Sequence, residues 1–144
     1  MSDAQPTAPL RGSCLCGGVV YETTGPFELV ARCHCIQCRK ASGAEFATNA
    51  TVPASGFRIV EGEALVQRFE SSPGQYRCFC GRCGSPLWKR FDEDTDKVRL
   101  RLGLLDDRFD QAVQFRAFTG EAMAVTEIPE PGEGEFSFEG RPGA

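Results

Sequence analysis

Hydrophobic and polar residues alternate in short runs along most of the chain, a pattern that predicts β-strands. In residues 98–102 a valine and two leucines alternate with two arginines, as in a strand with one face exposed to water. Strands are predicted over residues 18–22, 27–31, 46–52, 57–60, 65–69, 86–91, 98–102 and 113–118. The one helix predicted is short and covers residues 35–42. We therefore expect a mainly β fold with few short helices.

Turn-forming residues separate these runs. The 144 residues include 16 glycines and 9 prolines, which suits many short strands joined by turns. A chain of this length forms one ordinary domain. We predict a flexible N-terminal tail at residues 1–10, a single domain at residues 11–128, and a C-terminal end rich in Pro, Gly and Glu at residues 129–144.

The charge balance narrows the range of partners. Lys and Arg number 16 against 20 Asp and Glu, which gives a formal charge of −4. No surplus of cations is present to neutralise phosphates or anionic lipids, so we expect neither nucleic acid nor a membrane as partner. No apolar run is long enough to span a bilayer, and the first nine residues lack the features of a signal peptide. We expect a cytoplasmic protein.

Eight cysteines are the feature that most needs explaining. They occur in tight clusters, at Cys14, Cys16, Cys33, Cys35, Cys38, Cys78, Cys80 and Cys83. A reducing cytoplasm does not maintain structural disulfides. Clustered thiolates instead suit several ligands that converge on one metal ion. Thiolate-only ligand sets point to zinc, or less often to iron or an iron–sulfur cluster.

Spacing leaves two ways to group the ligands. Zinc takes four ligands in a closed structural site, and three with an open position in a catalytic one. One grouping joins Cys14 and Cys16 to Cys80 and Cys83, and leaves Cys33, Cys35 and Cys38 as a three-cysteine site. The other is a zinc ribbon that joins Cys35 and Cys38 to Cys80 and Cys83. It is less economical because three cysteines are left over.

Two further side chains bear on these sites. Cys78 could complete the three-cysteine group, but we predict that it is a strand thiol without a metal. His34 is the only histidine, so any histidine-dependent mechanism must use it. Adjacent side chains of a strand point to opposite faces, so His34 should point away from a metal held by Cys33 and Cys35. We therefore expect His34 either to act near the ligands without binding the metal or to pack in the interior. We expect Trp88 to lie in the core, because aromatic residues dominate core burial.

Three motifs carry a resemblance to a known family. They read GSCLCGG at residues 12–18, CHCIQCRKASGA at residues 33–44 and FCGRCGS at residues 79–85. In this order they resemble the glutathione-dependent formaldehyde-activating enzyme family, which also includes centromere protein V-like proteins. The resemblance runs from about residue 11 to about residue 105.

The resemblance implies a fold and a set of metal ligands. The fold is a β-tent of antiparallel sheets with zinc-knuckle motifs. A structural zinc would be held by Cys14, Cys16, Cys80 and Cys83. A second zinc, with an open position, would be held by the catalytic residues Cys33, Cys35 and Cys38.

The resemblance also implies a carbon–sulfur lyase activity, in which glutathione and formaldehyde combine reversibly into S-hydroxymethylglutathione. Three thiolates on zinc leave a net negative charge, which weakens the metal as a Lewis acid and favours a soft thiol at the open position. Arg39 and Lys40 are the candidates to bind a substrate carboxylate, and Glu45 is a candidate acid or base. The alternatives are a thiol carrier without turnover and a zinc-stabilised module that binds another protein.

Overall fold

The computed structural model describes residues 9–24 and 27–140. The chain divides into two compact units, of which the first comprises Met1–Glu28 and Ala50–Asp110 and the second comprises Leu29–Asn49 and Gln111–Ala144. Most of the predicted N-terminal tail and the last four residues of the predicted C-terminal end lie outside the described residues. Within the described ranges, no helix is long and apolar enough to cross a membrane.

Eleven strands and one α-helix make up most of the described structure. The strands are β1 (Leu10–Ser13), β2 (Val20–Thr23), β3 (Leu29–Cys33), β4 (Ala47–Pro53), β5 (Phe57–Glu61), β6 (Val66–Ser72), β7 (Gln75–Cys80), β8 (Pro86–Phe91), β9 (Lys97–Arg101), β10 (Phe115–Ala117) and β11 (Phe136–Ser137). The helix is α1 (Ile36–Ser42), and 3-10 turns occur at Ala54–Gly56, Glu63–Leu65, Asp92–Asp94, Leu102–Leu104 and Thr119–Glu121. The prediction of a mainly β fold is confirmed.

Each predicted strand overlaps an observed one, and the predicted helix overlaps α1. Three observed strands, β1, β7 and β11, have no counterpart among the predicted ones. β7 carries cysteines of a ligand motif, which hides its alternation, and β11 has only two residues. So short a strand is defined by its partner and not by its own sequence.

The first unit contains antiparallel strands. β1, β2 and β5 form a three-stranded sheet, in which Gly12 lies opposite Tyr21. β6, β7, β8 and β9 follow one another as neighbours, each antiparallel to the next. Because β7 ends at Cys80 and returns through a tight turn to β8, the second and third residues of the CxxC motif fall in that turn.

Aromatic side chains fill the core of this unit. Tyr21 is fully buried and Trp88 is 3% exposed, with their ring centroids 5.8 Å apart in an edge-to-face arrangement. Phe57 packs against Trp88 at 4.9 Å. Cys14 and Cys80 belong to the same buried cluster. Two of the candidate ligands are therefore fixed by the hydrophobic packing itself, and Trp88 is a core residue as predicted.

The second unit pairs strands that are distant in sequence. β10 pairs in parallel with β3 and also with β11. The resemblance implied antiparallel sheets, so these two parallel pairings are a local departure from that expectation. α1 begins after Cys35, whose sulfur accepts a hydrogen bond from the Cys38 N–H, and it ends at Gly43 with a φ of 67°. A residue without a side chain is favoured at such a left-handed end.

Gly62 provides a test of the first unit's backbone. Its φ is 81°, and an added Cβ would collide with the carbonyl oxygen of Gly18. We expect Gly62→Ala to lower the free energy of unfolding by about 2 kcal/mol or more. The alanine would be strained at this positive φ, and its Cβ would also collide with the Gly18 carbonyl oxygen. Gly103→Ala is the matched control, since no atom lies within 4 Å of its added Cβ. Urea unfolding followed by Trp88 fluorescence should show the difference, and equal effects of the two variants would contradict it.

Candidate metal centres

Four cysteines of the first unit converge on one point. Cys14 and Cys16 follow β1, Cys80 ends β7, and Cys83 lies in the turn before β8. Their Sγ atoms all lie within 4.8 Å of one another. The Cys14 and Cys16 sulfurs are 3.5 Å apart, and those of Cys16 and Cys80 are 3.8 Å apart. Tetrahedral zinc with bonds of about 2.3 Å places its sulfurs roughly 3.8 Å apart, so these distances fit such an ion.

Two glycine turns bring each cysteine pair together. Gly17 N–H donates to the Cys14 carbonyl at 2.9 Å, and Gly84 N–H donates to the Cys80 carbonyl at 2.8 Å. Both glycines have positive φ, at 76° and 78°. Glycine adopts this conformation without the steric cost that a side chain brings. The glycines that follow each motif in the sequence therefore form the two knuckle turns.

Nitrogen donors surround the sulfurs of this group. Backbone N–H groups donate from Val19 to Cys14 at 3.2 Å, from Gly18 to Cys16 at 3.4 Å and from Arg82 to Cys80 at 3.4 Å. The Arg82 Nε also donates to the Cys16 sulfur at 3.3 Å. Donors to sulfur stabilise the thiolate, which is the form that binds a metal.

These contacts change the acidity of the thiols. The Ser85 hydroxyl and the Ser85 backbone N–H are the main groups that lower the pKa of Cys83, to about 5. Hydrogen bonds from the Gly18 N–H and then from Arg82 lower the pKa of Cys16. Burial raises the pKa of Cys14. The group thus contains two thiols whose pKa is lowered and a buried one whose pKa is raised, and a nearby cation would favour ionisation of the buried one.

The second unit holds the other three clustered cysteines. Cys33 ends β3, Cys35 precedes α1 and Cys38 lies in its first turn, and their Sγ atoms also lie within 4.8 Å of one another. The Cys38 N–H donates to the Cys35 sulfur at 3.3 Å. Hydrogen bonding with Cys35 and Cys38, together with burial, raises the pKa of Cys33. Three crowded thiols cannot all ionise unless a cation lies among them.

Glu121 holds the ligand turn of this second group. Its Oε1 accepts a hydrogen bond of 3.0 Å from the Ile36 N–H, within the Cys35-to-Cys38 segment. Glu121 lies three residues after Phe118. Among the described residues that are not glycine, only Phe118 has a positive φ, at 57°. Such backbone strain occurs preferentially at functional sites. The sequence analysis missed Glu121, because a contact between residues 85 positions apart leaves no spacing signal.

The other sequence-predicted residues belong to neither sulfur group. Cys78 is buried, 7% exposed, and belongs to neither group. Arg39 and Lys40 lie in the last turn of α1. Glu45 is exposed, and its Oε1 accepts a hydrogen bond of 2.6 Å from the Thr126 hydroxyl. The roles of Arg39, Lys40 and Glu45 remain predictions.

His34 is buried rather than exposed beside the ligands. It is 1% exposed, and its ring packs against Phe46 with centroids 5.3 Å apart. Burial, and then the positive charges of Arg32 and Arg116, lower its pKa. The ring nitrogens of His34 belong to neither ligand group.

The two sets of sulfurs fit different kinds of metal site. Sulfur-only sets suit zinc and exclude hard cations such as magnesium and calcium. Four sulfurs complete a tetrahedron, whereas three leave one position open. The structure therefore brings together the seven predicted ligands as a group of four and a group of three. Cys80 and Cys83 already belong to the group with Cys14 and Cys16, which disfavours the zinc ribbon that would join them to Cys35 and Cys38.

Comparison with known proteins identifies the family of the chain. The profile of the family described as glutathione-dependent formaldehyde-activating enzyme matches residues 9–121. The match covers more than half of the chain, and the chain belongs to this family. The crystal structure of a Rhodobacter sphaeroides protein has the same fold, with a TM-score of 0.60 and 23% sequence identity. The similarity covers 70% of this chain and 92% of that one. A search of curated proteins found no match.

Cys80 and Cys78 form a matched pair for testing the first group. Both are buried on β7, but only Cys80 belongs to the four-sulfur group. We expect Cys80→Ser to remove one metal ion per chain and to lower the free energy of unfolding by about 3 kcal/mol or more. Cys78→Ser should keep the full metal content. Elemental analysis and urea unfolding measure both effects, and metal loss in Cys78→Ser would refute the grouping.

Glu121 can be tested with two variants. Glu121→Ala removes the acceptor of the Ile36 N–H, and we expect the three-cysteine group to bind its metal about tenfold more weakly or worse. Glu121→Gln keeps an acceptor oxygen and should retain most of the affinity. Competition with a coloured chelator measures metal release from each site, and the four-cysteine group serves as the internal control. Equal losses in the two variants would show that the carboxylate charge, not the hydrogen bond, is what matters.

Proposed function

We propose that the protein is a zinc-dependent carbon–sulfur lyase that acts on a thiol–aldehyde adduct, with glutathione and formaldehyde as its substrates. The observation that supports this most directly is the group of three cysteine sulfurs in a member of this family, which leaves one position of a tetrahedral ion open. The four-cysteine group would hold a second, structural zinc. Residues 11–128 would form the domain that contains both.

The reaction needs no further cofactor. The thiol sulfur bonds to the carbonyl carbon of the aldehyde, the carbon–oxygen double bond becomes single, and the thiol proton ends on the oxygen as a hydroxyl group. The reverse reaction breaks the same carbon–sulfur bond. When bound, zinc in the three-cysteine group would supply an electrophilic position that accepts a soft thiol.

The chain's own residues support this chemistry in three ways. Cys33, Cys35 and Cys38 would be the metal ligands and, in that sense, the catalytic residues. The Glu121 carboxylate and the Cys38 N–H hold the Cys35-to-Cys38 turn in place. Preorganised ligands keep the site's geometry constant while substrate binds and leaves.

Two cationic side chains of α1 are the candidates for substrate binding. We propose that Arg39 and Lys40, in the last turn of α1, bind carboxylates of glutathione. Both the thiolate ligands and glutathione itself require a reducing environment, so we place the protein in the cytoplasm.

The activity can be tested by adduct formation. We expect the zinc-loaded protein to accelerate the combination of glutathione and formaldehyde above the spontaneous rate, as measured by exchange NMR. Cys33→Ser should abolish the acceleration and keep the metal of the four-cysteine group. Cys78→Ser should keep the activity, because Cys78 belongs to neither group.

The outcomes separate the alternatives. Saturable glutathione binding that Cys33→Ser abolishes, without acceleration by the native protein, would show a thiol carrier. Neither binding nor acceleration in fully loaded protein would refute thiol chemistry at this site and leave a module that binds another protein. A loss of activity in Arg39→Ala that high glutathione restores would support the carboxylate role of Arg39.

A further inference from the structure

A cluster of cationic and imidazole side chains lies on one face of the second unit. Arg32 lies on β3 and His34 follows two residues later, so the two side chains share a face. On the neighbouring strand β10, Arg116 lies directly opposite Arg32 in the parallel register. Like charges opposite each other on adjacent strands are destabilising. Their juxtaposition is therefore unfavourable unless negative charge lies nearby.

The acidic groups of this unit supply only part of that charge. Arg116 is 7% exposed, and its Nη1 contacts the Glu135 Oε1 at 3.1 Å. Arg32 makes no ion pair with any described residue, and its guanidinium lies 4.6 Å from the centre of the Phe46 ring. Glu45, the other nearby carboxylate, is exposed and hydrogen-bonded to Thr126. Arg32 is thus the member of the pair that has no ion-pair partner among the described residues.

The same cluster contains unpaired buried polar atoms. Both ring nitrogens of His34, which is 1% exposed, have no hydrogen-bond partner among the described residues. The Nε atoms of Arg32 and Arg116 are buried and unpaired as well. A buried polar atom without a partner costs about 1–3 kcal/mol. The cluster offers three N–H donors, the two arginine Nε–H groups and one imidazole N–H, which together indicate a hydrogen-bond acceptor as ligand.

We propose that Arg32, His34 and Arg116 form a binding site for a small carboxylate. Guanidinium groups offer N–H donors in a planar fork that matches the two oxygens of a carboxylate. One such anion would separate the two arginines, neutralise Arg32 and accept the N–H of a neutral imidazole. Arg32 is only half-buried, which leaves the anion a route to the cluster. This carboxylate site does not depend on the proposed thiol–aldehyde reaction.

His34 provides a direct readout, because it is the only histidine in the chain. In tag-free, zinc-loaded protein, its imidazole gives a single set of NMR signals. We expect sodium acetate, titrated at constant ionic strength against sodium chloride, to shift these signals to saturation. Arg32→Gln should weaken the apparent affinity at least tenfold. Arg108→Gln is the control, since Arg108 lies in the first unit with 87% of its side chain exposed, and it should behave like the native protein.

A second titration identifies the source of the carboxylate. S-methylglutathione has carboxylates but no free thiol, so it cannot bind to zinc as a thiolate. Saturation at much lower concentration than acetate would mean that the site takes the carboxylate of the glutathione substrate, and similar affinities would mean a free small carboxylate. No saturable shift in native protein, or the same shift in Arg32→Gln, would overturn the proposal. If Arg32→Gln fails to fold, Arg32→Lys takes its place, because it keeps the charge but lacks the planar fork, and it should also weaken the apparent affinity.

Discussion

Mutual repulsion among crowded thiolates is the constraint on which the rest of the structure depends. Seven of the eight cysteines lie in two groups whose sulfurs are within 4.8 Å of one another. Such groups ionise together only around a cation, and their acidity then becomes part of the folding free energy. In the first unit the constraint acts over a long loop, since Cys16 and Cys80 are 64 residues apart. A metal there closes the loop much as a disulfide would.

The two groups differ in what surrounds them. Cys14 and Cys80 of the four-cysteine group belong to the aromatic core, and backbone N–H groups satisfy their sulfurs. The three-cysteine group lies where a strand turns into a seven-residue helix, fixed by a carboxylate from a strained turn. A closed site anchored in a core suits a structural role, whereas an open site on a turn suits an exchangeable ligand.

Local signals explain what the sequence could and could not predict. The close spacing of the cysteines and the alternation around β9 are local signals, and they predicted the clustered ligands and the mainly β fold. Other features join residues that are far apart in sequence. They are the parallel pairing of β10 with β3, which places Arg116 opposite Arg32, and the hydrogen bond from the Ile36 N–H to Glu121. No periodicity or motif encodes such contacts, because they depend on how whole strands pair.

The most direct test of the two-site account is the metal content and ligand shell of tag-free protein purified under reducing conditions. Elemental analysis combined with X-ray absorption should find two zinc ions per chain. Their average shell should be dominated by sulfur at about 2.3 Å. One zinc ion per chain, iron in place of zinc, or a shell dominated by nitrogen and oxygen would contradict the account.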